Sequence, residues 1–114
     1  MQLITANGTR MNYIAASSVA RDAIIASDVA YKAVTDSDMA VAKFAVGAAG
    51  LDPADYANMS VVAASSVAIG AIASSTTAKN AVLASTTALN ALDASPLAKT
   101  MSSAGTVRLN YSVE

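Results

Sequence analysis

With 114 residues, 54% apolar side chains and a formal net charge of −1, the chain can bury one core without metal or disulfide support. Its seven basic and eight acidic residues are scattered, which argues against a nucleic-acid or anionic-membrane partner. Histidine, cysteine and tryptophan are absent and the only glutamate is Glu114, so thiolate chemistry is excluded and acid–base chemistry has few carriers.

Of the apolar residues 28 are alanine and only five are aromatic, so packing must come from close backbone approach rather than from bulky side chains. The opening MQLITANGTRMN lacks a basic stretch leading into an apolar one, and no run of about 18 apolar residues occurs. The expectation is a single soluble domain, unprocessed and with no membrane span.

In chain order, QLIT at residues 2–5 is a candidate short strand. A weak repeat unit covers residues 7–16, and three clear ten-residue units follow: SSVARDAIIA from Ser17, SDVAYKAVTD from Ser27 and SDMAVAKFAV from Ser37. GAAGLDPA at residues 47–54 has two glycines and a proline and reads as a connector. A second weak unit, residues 55–64, precedes SSVAIGAIAS from Ser65, STTAKNAVLA from Ser75, STTALNALDA from Ser85 and SPLAKTMSSA from Ser95. The expected organisation is a first block at 1–46, the connector at 47–54, a second block at 55–104 and a terminal strand at 105–114. Repetition at a fixed period is the mark of a stacked array.

Each unit opens with serine and has alanine at its fourth position; the seventh is alanine in five units and the eighth is larger and apolar in six. Positions 3, 4, 7 and 8 share one helical face. In a continuous helix, ten residues at roughly 100° each would rotate that face by about 280° per unit, so no straight helix can use the pattern. A break at each serine resolves the conflict, because serine is a favoured N-cap. Pro96 then occupies the first helical position, where its fixed φ suits and its missing N–H is not needed. Asp28 and Asp38 hold the same slot, where a carboxylate meets the positive helix end.

The predicted fold is therefore mainly α: a compact α-solenoid of short helices, one per ten-residue repeat, in two blocks. Alanines at positions 4 and 7 allow close approach, residues at positions 3 and 8 fill the gaps, and each unit touches mainly its neighbours. TVRLNYSV at residues 106–113 alternates Val107, Leu109, Tyr111 and Val113 with polar residues, which predicts a half-buried strand that pairs with QLIT or with a sheet in another chain, the equal alternative being a terminal tail lying on its own domain.

Asp36 with Asp38, and Asp52 with Asp55, could offer oxygens to a cation, but neither pair has the alternating ligands of a calcium loop and both read as helix caps. The serines have no accompanying base, and GAAG is not followed by the lysine-serine pair of a phosphate loop. No enzyme activity, cofactor or metal is expected. Tyr13, Tyr31, Tyr56 and Tyr111 could present a binding surface, with Tyr31 read as an exposed ring.

The tandem units ASSVARDAIIASDVAYKAV and ASTTALNALDAS resemble the alanine- and serine-rich decapeptide repeats of tail-fibre and other virion proteins of tailed bacteriophages. The likeness spans residues 15–46 and 63–101. It implies a structural component of a phage particle, such as a fibre segment, a tail or neck adaptor or a capsid decoration. Its partners would be other virion proteins or copies of itself in a multi-copy assembly, with no nucleic acid and no membrane. Two other readings stand beside it. Thr76, Thr77, Thr86 and Thr87 on an alanine-rich background suggest ice binding, and a helical repeat could serve as a generic protein-binding adaptor.

Overall fold

The computed structural model describes residues 8–97. It contains α1 (Gly8–Ala15), α2 (Ser18–Ile25), α3 (Asp28–Thr35) and α4 (Asp38–Ala48), then a 3₁₀ turn (Pro53–Asp55), then α5 (Met59–Ala63), α6 (Ser66–Ala73), α7 (Thr76–Leu83) and α8 (Thr86–Asp93). The protein is mainly helical and compact, with no strand among the described residues. The expected strand of Val107, Leu109, Tyr111 and Val113, and QLIT, lie outside them.

Two residues separate successive helices within each block, the C-cap of one and the N-cap serine of the next. Ser17, Ser27, Ser37, Ser65, Ser75 and Ser85 all have extended backbone, and each side chain accepts from the N–H of the alanine three residues on, at 3.0–3.2 Å. That alanine is the third helical residue, so one of the unpaired donors of each helix start is satisfied by the residue that made the bend. The serine's own N–H closes the preceding helix, as in the bond from Ser27 N to Ile24 O at 3.0 Å. A helix of eight residues is marginal alone, so these stubs persist because they pack. Pro96 and Leu97 are again helical after Ser95.

Two elements depart from the period. Gly47 stands where a serine would restart the chain, and without a capping hydroxyl α4 runs on to Ala48, through the start of the expected connector. It ends at Gly50 with φ 92°; Gly50 N donates to Gly47 O at 3.1 Å and Leu51 N to Val46 O at 2.8 Å. This doubly bonded terminus needs a left-handed residue, which glycine supplies without strain. In the second departure, α5 has only five residues and is capped by Asn58, whose side chain accepts from Val61 N at 3.1 Å. Asp55, the expected cap of that unit, lies in the 3₁₀ turn.

Burial corrects the expected face by one position. The eighth residue is buried in every unit described, as Ile24, Val34, Phe44, Ile72, Val82 and Leu92. The third is not: Val19 and Val29 are 78% and 79% exposed. The fifth takes its place, with Val41 and Ile69 buried and Arg21, Tyr31, Lys79 and Leu89 half-buried. The inward stripe is thus positions 1, 4, 5 and 8, still spaced by three and four.

Nor do units touch mainly their sequence neighbours. The most extensive contacts join α1 to α4, α4 to α7 and α5 to α8, each pair three helices apart. Gly47 lies against Ala15, so the C-terminal ends of α1 and α4 meet and the two run in the same direction. Ser75 Oγ, at the start of α7, donates to Ala48 O at the end of α4, 3.5 Å away, so that pair is opposed. α4 feeds two cores: Ala40 and Phe44 join Met11, Ile24, Val34 and Ala81, while Val41, Ala45 and Val46 join Met59, Val62, Ile69, Ile72, Val82 and Leu92. It is buried all round for that reason. The body measures 37 × 24 × 20 Å with a radius of gyration of 12.7 Å, close to the roughly 12 Å of a compact domain of about 90 residues.

Candidate interaction surface

Among the described residues, the three most exposed large apolar side chains lie on the first block, and Val67, at the third unit position of α6, is also 63% exposed. Val19 on α2 and Val29 on α3 hold the same unit position one repeat apart, with Tyr13 on α1 75% exposed and Ile25 on α2 44% exposed. Ile24 is the only buried residue of α2. The cause is topological. α4 covers α1 as its third successor, but the connector diverts the chain before α5 can cover α2 in the same way, and α5 packs with α4, α6 and α8 instead.

A second feature lies beneath. Lys43 is 5% exposed, and its Nζ donates to Asn12 Oδ1 at 2.6 Å and to Pro53 O at 2.9 Å. It therefore joins α1, α4 and the 3₁₀ turn. Burial lowers the pKa of its ammonium, and the charge of Asp52 opposes that shift; desolvation disfavours the charged form of a lysine. Sequence reasoning missed this residue, although a signal existed: Lys43 occupies the seventh position, which is alanine in five of the seven units.

The aspartates weighed as cation ligands are spread over separate structural tasks. Asp36 ends α3 and pairs with Lys32 at 2.7 Å. Asp38 opens α4 and its Oδ1 accepts from Met59 N at 2.8 Å. Asp52 caps the 3₁₀ turn through Ala54 N at 3.0 Å, and Asp55 lies within that turn. Among the described residues no three acidic, histidine or cysteine side chains gather as a metal site would require.

Tyr31 is half-buried, not exposed, because α4 packs beside α3 and the ring meets Phe44 edge-on at 6.2 Å and 81°. Burial raises its hydroxyl pKa. Tyr56 is half-buried in the connector, and Tyr111 lies outside the described residues. Thr76 and Thr86 are exposed at equivalent positions of α7 and α8, while Thr77 and Thr87 are half-buried.

A shallow cleft of about 250 Å³ opens between α5 and α8, lined by Ala63, Ala64, Ala91, Ala94 and Ser95 among others. Ser95 Oγ donates across it to Ala63 O at 2.6 Å. No helix among the described residues is long and apolar enough to cross a membrane. Comparison with protein-family models, curated proteins and solved structures finds no match.

Proposed function

We propose that this chain is a non-enzymatic assembly subunit of a bacteriophage particle, placed in the tail, neck or capsid. In this reading it works as a compact stack of short helices whose first block docks copies of itself or neighbouring virion proteins. The observation that carries the assembly role is the pair Val19 and Val29, presented at one unit position on successive helices and both nearly four-fifths exposed. A scattered exposed valine is ordinary, but an apolar row repeated along a helical array marks a contact surface. Burying both valines would remove apolar surface from water, the term that drives most protein association. The likeness to phage decapeptide repeats supplies the particle.

Size-exclusion chromatography with light scattering at two concentrations, followed by negative-stain imaging, tests the reading. The wild-type chain is expected to form a multi-copy species that grows with concentration. The Val19→Asp, Val29→Asp double variant should remain a single copy with unchanged helical circular dichroism. A wild-type protein that is monomeric at both concentrations and binds a peptide along a groove would favour the adaptor reading instead. The exposed Thr76 and Thr86 keep ice binding as a second reading, and clear thermal hysteresis would move the proposal there.

A further inference from the structure

The connector between the blocks is fastened to a single helix at three points. At the C-terminal end of α4, Gly50 and Leu51 donate back to Gly47 and Val46. Midway along α4, Lys43 Nζ reaches Pro53 O at 2.9 Å and ties it to Asn12 of α1 at 2.6 Å. At the N-terminal end, Asp38 Oδ1 receives Met59 N–H at 2.8 Å. Residues 49–58 therefore run back along the helix the chain has just left, and α5 starts beside the start of α4.

We infer that Lys43, with Asn12 and Asp38, forms a polar latch that holds this connector against α4 and so fixes where the second block begins. The chemistry favours a latch over a stabilising ion pair. Among the described residues no carboxylate forms an ion pair with the Lys43 ammonium; its partners are an amide oxygen and a backbone carbonyl. Pro53 O also accepts from Tyr56 N at 3.2 Å, so it keeps a partner if the lysine is lost. A buried charge that forms no salt bridge and has only the longer-range attraction of Asp52 is expensive to keep, and an apolar residue of similar length removes that desolvation cost, which offsets the donor that Asn12 Oδ1 loses. What Lys43 supplies is local: an alanine stack can hold helices together, but only a directional group fixes the path of a segment crossing them. Lys43 is thus a positioning residue for the connector, and Asp38 does the same for the first amide of α5.

Limited proteolysis separates local release from global loss, because cleavage follows the population of the opened segment when opening and closing are fast. Tyr56, half-buried in the connector, is a chymotrypsin site whose product can be identified by mass. In Lys43→Met, cleavage after Tyr56 should be about tenfold faster, the loss expected when one hydrogen bond to a charged group is removed. The melting midpoint and helical circular dichroism should stay unchanged. Asp38→Ala, at an exposed position, should also raise cleavage there, whereas Asp28→Ala, the same slot in α3 without a connector contact, should not. If Lys43→Met fails to fold, Asp38→Ala against Asp28→Ala decides alone. Wild-type cleavage rates in the folded Lys43→Met and Asp38→Ala variants would overturn the latch and leave the packing of Leu51, Pro53 and Tyr56 as what holds the connector.

Discussion

Gly47 and Gly70 are both helical glycines among small residues, and one added methyl should act on them in opposite directions. A Cβ at Gly47 would stand 2.0 Å from Ala15 O and 2.6 Å from Ala15 C. These are backbone atoms at the end of α1, where the Ala15 carbonyl already receives Arg21 Nη1. No side-chain rotation can relieve that overlap, so Gly47→Ala must push α1 off α4 and is expected to destabilise by about 3 kcal/mol, the upper part of the overpacking range. At Gly70 nothing lies within 4 Å of the added atom, and the better helix propensity of alanine should stabilise by about 0.5–1 kcal/mol. Urea unfolding of both variants checks the pair; a silent Gly47→Ala would remove the close α1–α4 approach. The sequence marks Gly47 only as a flexible connector residue. Its role in close packing depends on Ala15, thirty-two residues earlier, and local pattern does not bring the two together.

At the level of the helix, the serine period was legible because its cause is local: a hydroxyl, an N–H three residues on and one extended residue are all it needs. The caps are not equal in weight, however. Ser85 is 1% exposed and accepts from a buried Ala88 N–H at 3.0 Å, so Ser85→Ala should cost about 2 kcal/mol, near the top of the capping range. Ser27, half-buried, should cost about 0.5–1 kcal/mol. The inward face was legible only to within one position. Residues 3 and 7, like residues 4 and 8, are each spaced by four, and alanine at both 4 and 7 gives composition no means of choosing between stripes. The choice is made by neighbours that are remote in sequence, chiefly α4. Ala78, fully buried against that side, should lose about 1–3 kcal/mol as leucine. Ala30, half-buried, should lose less, and equal melting shifts for Ala30→Leu and Ala78→Leu would contradict the assigned stripe. The shortness of α5 was not legible, because Asn58 and Asp55 are both acceptable caps and it is the path of the connector that selects Asn58.

In the whole molecule, two blocks of the same repeat share one buried helix, and the buried ammonium at that junction gives stability a particular dependence on pH. The folded-state pKa of Lys43 lies below its unfolded value of 10.5 because burial disfavours the charge more than Asp52 favours it. Between the two values the unfolded chain binds more protons than the folded one, so unfolding free energy must rise with pH through that window. Tyr31 acts in the other direction: burial raises its pKa above 10.0, the unfolded chain releases that proton first, and stability falls as pH rises past 10. The two windows meet between pH 10.0 and 10.5, so comparison with Lys43→Met, which keeps Tyr31, isolates the lysine. Neutral Lys43 still has two N–H donors for Asn12 Oδ1 and Pro53 O, so its deprotonation removes the charge penalty and leaves the connector fastened. Wild-type stability should accordingly gain on that of Lys43→Met as pH rises toward 10.5, because the variant has no proton to release there. Parallel curves for the two proteins would mean that the ammonium is solvated in the folded state and that the junction of α1, α4 and the connector is open to water.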